Sequence, residues 1–91
     1  MELSWTKSAI QDLEDAGEYI AEDNRSAAAK MGERVLEAVD YLKQHPVLGR
    51  GGRLHGTREL VVSGTPFIIV YRVRLDQVQV LRLLHHARKW P

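Results

Sequence analysis

Residues 56–91 read GTRELVVSGTPFIIVYRVRLDQVQVLRLLHHARKWP, and this stretch decides the fold. Thr57 to Ser63, Phe67 to Arg74 and Gln77 to about His86 are runs rich in Val, Ile, Leu, Tyr and Phe, a composition that suits a pleated, half-buried surface. Ser63-Gly64-Thr65-Pro66 and Leu75-Asp76 separate them as turns. Pro66 lacks an N–H, so it opens a strand only where no ladder donor is needed. Three sequential strands with short turns predict an antiparallel meander. The turn at Leu75-Asp76 also decides which side chains share a face. A three-residue loop aligns the even positions of the last two strands, and a two-residue loop opposes them.

The upstream half supplies a cover for this sheet. Glu2 to Trp5 alternates polar and apolar residues and reads as a short first strand. Thr6 is placed to cap a helix from Lys7, along which Ile10, Leu13, Gly17 and Ile20 recur at spacings of three and four. Asp23-Asn24 breaks that pattern, and Asn24 is the N-cap of a second helix from Arg25 to about Gln44 with the stripe Ala28, Met31, Val35, Val39 and Leu42. So short a break predicts an antiparallel helical hairpin. Gly17 and Gly32 lie inside the helices at a cost of about 1 kcal/mol each relative to alanine, which either close approach of another element offsets or the helices simply tolerate. His45-Pro46 ends the second helix, because the residue before proline avoids helical dihedrals. The expected order is strand, helix, helix, strand, strand, strand in one domain spanning 1–91, with the hairpin on one sheet face and the other face open.

A chain of 91 residues buries only about 60–65% of its extended surface, enough for one small core and no large cofactor cavity. The absence of cysteine excludes disulfides, thiolate metal sites and cysteine nucleophiles. The N-terminal residues lack the basic and long apolar regions of a signal peptide, and Phe67 to Tyr71 is too short to span a bilayer. A cytoplasmic location without membrane attachment is the expectation. The net charge of +1 hides an asymmetry. Residues 1–46 carry five Lys/Arg against ten Asp/Glu, a balance of −5, and residues 47–91 carry eight against two, a balance of +6. All eight of those basic residues except Lys89 are arginine, the side chain suited to phosphate and carboxylate recognition.

The chemistry open to such a chain is narrow. None of the four serines, Ser4, Ser8, Ser26 and Ser63, sits in a nucleophile elbow. His85 and His86 are adjacent on the last expected strand, so they point to opposite faces and cannot chelate together, and no helical histidine pair exists, so neither a metal nor another cofactor is expected. Arg50-Gly-Gly-Arg53 has the donors to cradle an anion but lacks the lysine and following helix of a P-loop, and reads as a flexible basic loop. What remains is arginine with histidine. Arg72, Arg82, His86 and Arg88 share even parity, a set able to bind a polyanion and stabilise phosphoryl charge while histidine moves a proton. The competing reading is an arginine-rich face that pairs with an acidic protein.

The ordered set Asp12-Leu13, Tyr19-Ile20, Gly56-Thr57-Arg58-Glu59-Leu60-Val61-Val62, Ile69-Val70-Tyr71-Arg72-Val73 and Val80-Leu81-Arg82-Leu83-Leu84-His85, closed by Arg88-Lys89-Trp90-Pro91, resembles the RelE/ParE family of bacterial toxins over nearly the whole chain. The resemblance implies an α+β fold with an N-terminal strand, a helical hairpin and a three-stranded meander. It also implies the toxin of a type II toxin–antitoxin pair, held inactive by a cognate antitoxin whose DNA-binding part takes the complex to operator DNA. RelE-like members cut messenger RNA on the ribosome. On that pattern His86 and Arg88 are the catalytic candidates, but Ser63 and Ile68 stand where such nucleases tend to have arginine. The loop 47–56 has no lysine, and no tyrosine follows Tyr71. ParE-like members poison DNA gyrase and need no nuclease residues; the long hairpin and the tail favour this subgroup. Candidates for target or antitoxin binding are Arg50, Arg53, Arg58, Arg72, Arg82, Arg88 and Trp90. A non-toxic RNA-binding adaptor is the lower alternative.

Overall fold

The computed structural model describes residues 1–86; the candidates Arg88 and Trp90 lie outside the described residues. The elements are β1 (Glu2–Trp5), α1 (Lys7–Asp23), α2 (Arg25–Leu42), β2 (Arg50–Gly51), β3 (Arg58–Val61), β4 (Phe67–Arg74) and β5 (Gln77–His85). They form two helices and one five-stranded mixed sheet, in the order β1-β5-β4-β3-β2. The expected meander is therefore part of a larger sheet. Strands β3, β4 and β5 pair antiparallel in sequence, β1 adds to β5 in parallel, and β2 extends the other edge.

Both helix starts are set by side chains. Thr6 Oγ1 accepts the Ala9 N–H at 3.1 Å and donates to Leu81 O at 2.8 Å, while the Thr6 N–H reaches Val80 O. One residue thus caps α1 and ties its start to β5. Asn24 closes one helix and opens the next: its N–H donates to Ile20 O and its Oδ1 accepts the Ala27 N–H at 3.0 Å. α2 ends two residues before the expected Gln44, with Lys43 and Gln44 in a turn. Of the two readings of Gly17 and Gly32, the structure favours tolerance, because a Cβ added at either meets nothing within 4 Å. No close approach explains them, and both are ordinary helix positions that happen to lack a side chain.

The core lies between the hairpin and one sheet face. Met31, Val35, Val39 and Leu42 of α2 meet Ile69 and Tyr71 of β4 and Val78, Val80 and Leu83 of β5. Leu3 and Trp5 join them because they sit opposite Val78 and Val80. The parity question has a two-part answer. Arg74 faces Gln77 and Arg72 faces Gln79, so the two-residue turn opposes the even positions. Beyond it the register shifts: Tyr71 faces Val80 but Val70 faces Arg82, leaving Leu81 without an opposite residue. This bulge returns Arg82 to the face that carries Arg72.

Candidate functional site

The face turned away from the helices follows from that register. It carries Arg50 and Glu59, then Val61, Ile68 and Val70, then Arg72, Gln79, Arg82 and Leu84. Ile68, Val70 and Leu84 are buried on it, apart from the main core cluster. The face thus has a buried apolar strip bordered by arginines rather than a uniformly basic plane.

Each described arginine of the candidate set is held. The Arg72 Nε donates to Gln79 Oε1 at 2.7 Å, across the β4–β5 pair. Arg82 makes two bonds to the Asp12 carboxylate of α1, from Nε at 2.7 Å and from Nη2 at 3.0 Å. Asp12 also accepts the Leu83 N–H at 2.9 Å, on the edge of β5 beyond the last residue paired with β1. The Asp12 hydrogen bond raises the Arg82 pKa above its already high ordinary value, against the opposing effect of burial. Arg58 lies on the helix side, opposite Tyr71, and its guanidinium donates to the carbonyls of Val47 and Gly49.

The segment expected to be a flexible loop is ordered in part as β2. Arg50 sits opposite Glu59, and the Arg53 N–H donates to Glu59 Oε2 at 3.0 Å. The Glu59 side chain is only 3% exposed, and Arg50 Nη2 and Arg53 Nε each lie 3.9 Å from its Oε1. Tyr71 fixes the other end: Gly49 N–H donates to its hydroxyl, which donates to Pro46 O, both at 2.8 Å. Burial pushes the Tyr71 pKa up, more than the Gly49 bond and the Arg58 charge pull it down. Sequence reasoning missed Glu59, Asp12, Gln79 and Tyr71. The available signal, for Glu59 alone, was that only two acids stand in an arginine-rich half, where a carboxylate on a strand must find cationic partners.

His86 lies one residue past β5, where its N–H donates to Pro66 O at 2.8 Å. Because the strand has ended, its ring is not sent to the face opposite His85 as alternation predicts. The two ring centroids are 5.0 Å apart, and His85 meets Phe67 edge-on at 5.7 Å. His85 lines a cleft of about 390 Å³ with Asp12, Asp15, Ala16, Tyr19, Phe67 and Leu83, on the helix side. Among the described residues no three His, Asp or Glu side chains converge to hold a metal ion, and no helix is long and apolar enough to cross a membrane.

Comparison with known proteins places this geometry in context. A family model described as the ParE toxin of type II toxin-antitoxin system, parDE, matches residues 3–90. A protein of Sinorhizobium fredii described as a candidate toxin, Y4kP, is 42% identical over 89 residues, covering 98% of this chain and 92% of that protein. Toxin RelE2 of Caulobacter vibrioides is 36% identical over 87 residues, covering 96% and 97%. Among solved structures, a chain of the chromosomal ParDE toxin–antitoxin system from P. aeruginosa superposes with a TM-score of 0.84 at 30% identity, covering 93% of this chain and 95% of that one. A YoeB/ParE toxin from Agrobacterium tumefaciens shares the fold, with a TM-score of 0.66 at 23% identity and coverage of 94% and 99%.

Proposed function

The chain belongs to the ParE toxin family of type II toxin–antitoxin systems, a toxin with a cognate antitoxin, and from that premise we propose that it poisons DNA gyrase rather than cutting messenger RNA. One observation carries the reading: Arg50, Arg53, Arg72 and Arg82, the candidate arginines of this face, are bound to this chain's own acceptors. Arg72 is held by Gln79, Arg82 by Asp12, and Arg50 and Arg53 by Glu59. Cleavage of a phosphodiester needs guanidiniums aimed at the developing phosphoryl charge and a proton carrier within hydrogen-bond reach. Here Ile68 is a buried apolar residue on that face, and the His86 ring sits beside His85 past the strand end. Arginines engaged in this way and still partly exposed suit the polar rim of a protein–protein contact.

The test compares the purified toxin on two targets. Inhibited supercoiling and trapped cleavage complexes with gyrase, while a translating extract stays active, are expected. The antitoxin should reverse both effects of the toxin on gyrase, and operator DNA should bind through the antitoxin's part of the complex. His86→Ala should keep its toxicity. Ribosome-dependent cuts in messenger RNA, with gyrase unaffected, would instead assign the RelE-like activity and make His86 and Arg88 its catalytic residues.

A further inference from the structure

We infer that Glu59 is a specificity-determining residue whose carboxylate withholds Arg50 and Arg53 from the phosphate backbones of nucleic acids. The residues that carry this lie on adjacent strands. β3 is flanked by β2 and β4, and the register puts Arg50 on one side of Glu59 and Val70 on the other. The carboxylate is therefore lodged in the sheet face between an arginine and a fully buried valine, with its side chain 3% exposed. Arg53 returns to it from the following loop, giving a backbone N–H at 3.0 Å and a guanidinium nitrogen at 3.9 Å.

This arrangement has two consequences for an incoming phosphate. Arg50 and Arg53 point their charge at the Glu59 Oε1, and a phosphate oxygen reaching for both would enter the field of a carboxylate that solvent screens little. The two guanidiniums also already face an anion, so fewer counterions are released when a polyanion arrives, and release drives that binding. The arginines stay accessible to a protein surface, since their side chains are 70% and 45% exposed, and a neutral hydrogen-bond acceptor meets no repulsion there. The same carboxylate therefore discriminates between two kinds of partner. This deepens the protein-target reading above, and it is measured on RNA without gyrase present, so the two ideas fail separately.

The experiment uses a 12-nucleotide poly-uridine RNA and fluorescence anisotropy between 50 and 200 mM salt, on the full chain. Glu59→Gln keeps an acceptor for the Arg53 N–H and removes the charge. It should bind at least about tenfold more tightly than wild type at the lower salt. Its log affinity against log salt should steepen by about 0.7 to 1.4, as for one or two added phosphate contacts on a single strand. Adding Arg50→Ala and Arg53→Ala to Glu59→Gln should abolish the gain. A second comparison needs no change at Glu59: in the wild-type background, Arg50→Ala with Arg53→Ala should alter RNA affinity less than twofold. Unchanged affinity and slope in folded Glu59→Gln would overturn the inference. So would a tenfold loss from the two arginine changes while Glu59 is intact, whatever the stability of Glu59→Gln.

Discussion

Tyr71 is the residue on which the path from α2 to the sheet depends. Its hydroxyl accepts from Gly49 and donates to Pro46, and its side chain is fully buried beneath them. Tyr71→Phe leaves a buried N–H and a part-buried C=O without that partner, at an expected cost of about 2 kcal/mol. A thermal melt should register this as a fall in Tm of several degrees. The same residue shapes the alkaline limb of stability. Burial raises its pKa above the ordinary 10.0, so at high pH the folded state holds a proton that the unfolded chain has released. The unfolded state then binds fewer protons, and stability falls as pH rises through about 10 towards the raised value. Unfolding curves of wild type and Tyr71→Phe should therefore converge across that window. Gly49 exists for the same contact, since a Cβ there would stand 2.7 Å from the Tyr71 hydroxyl and 2.9 Å from Glu59 O. Gly17 and Gly32 are the contrast: with open space around them, Gly17→Ala and Gly32→Ala should each stabilise by about 0.5–1 kcal/mol, read as a raised denaturant midpoint.

At the scale of elements, Asp12 joins the helical hairpin to the sheet. It reaches β5 where β1 no longer covers it, taking the Leu83 N–H and both bonds from Arg82. Asp12→Ala should cost about 2 kcal/mol, a figure reduced because the Arg82 side chain is 32% exposed and water replaces part of the pair. Hydrogen exchange should show faster opening at the Leu83 amide and along α1, with β3 and β4 unchanged. This contact also marks the boundary of what the chain's pattern discloses. The helices were legible because Thr6 and Asn24 are capping residues before apolar stripes of helical period, and β4 was legible to its ends. Three features were not. β2 is two residues long and has no periodicity to detect. The parallel pairing of β1 with β5 joins residues over seventy positions apart, and no local signal encodes it. The bulge at Leu81 falls in the run Val80-Leu81-Arg82-Leu83-Leu84, where apolar residues on both faces hide a change of register. The arginines of the site were legible as residues, but their partners were not, because Asp12, Gln79 and Glu59 are brought to them by that topology.

Over the whole molecule, charge divides along the chain. The residues up to 46 carry the balance of −5, and the strand-bearing remainder carries +6. We expect the antitoxin to be captured on the sheet half, because a positive field speeds the encounter with an acidic, disordered segment. That half also offers apolar contacts: Val61 and Leu48 are exposed and line an open groove with Tyr41 of α2 and Leu60. A segment that folds into such a surface gains from apolar burial, which salt does not weaken, as well as from charge, which it does. Affinity should therefore fall with ionic strength and then level off, rather than vanish. The fall should lie in the association rate, since steering acts before contact, while dissociation should respond chiefly to the groove. Stopped-flow binding of the antitoxin from 20 mM to 1 M salt separates the two. Arg74→Ala, at an exposed arginine of β4, should reduce the salt dependence of association with little change in dissociation, and Val61→Ala should do the reverse. An association rate indifferent to salt would overturn electrostatic capture on the sheet half.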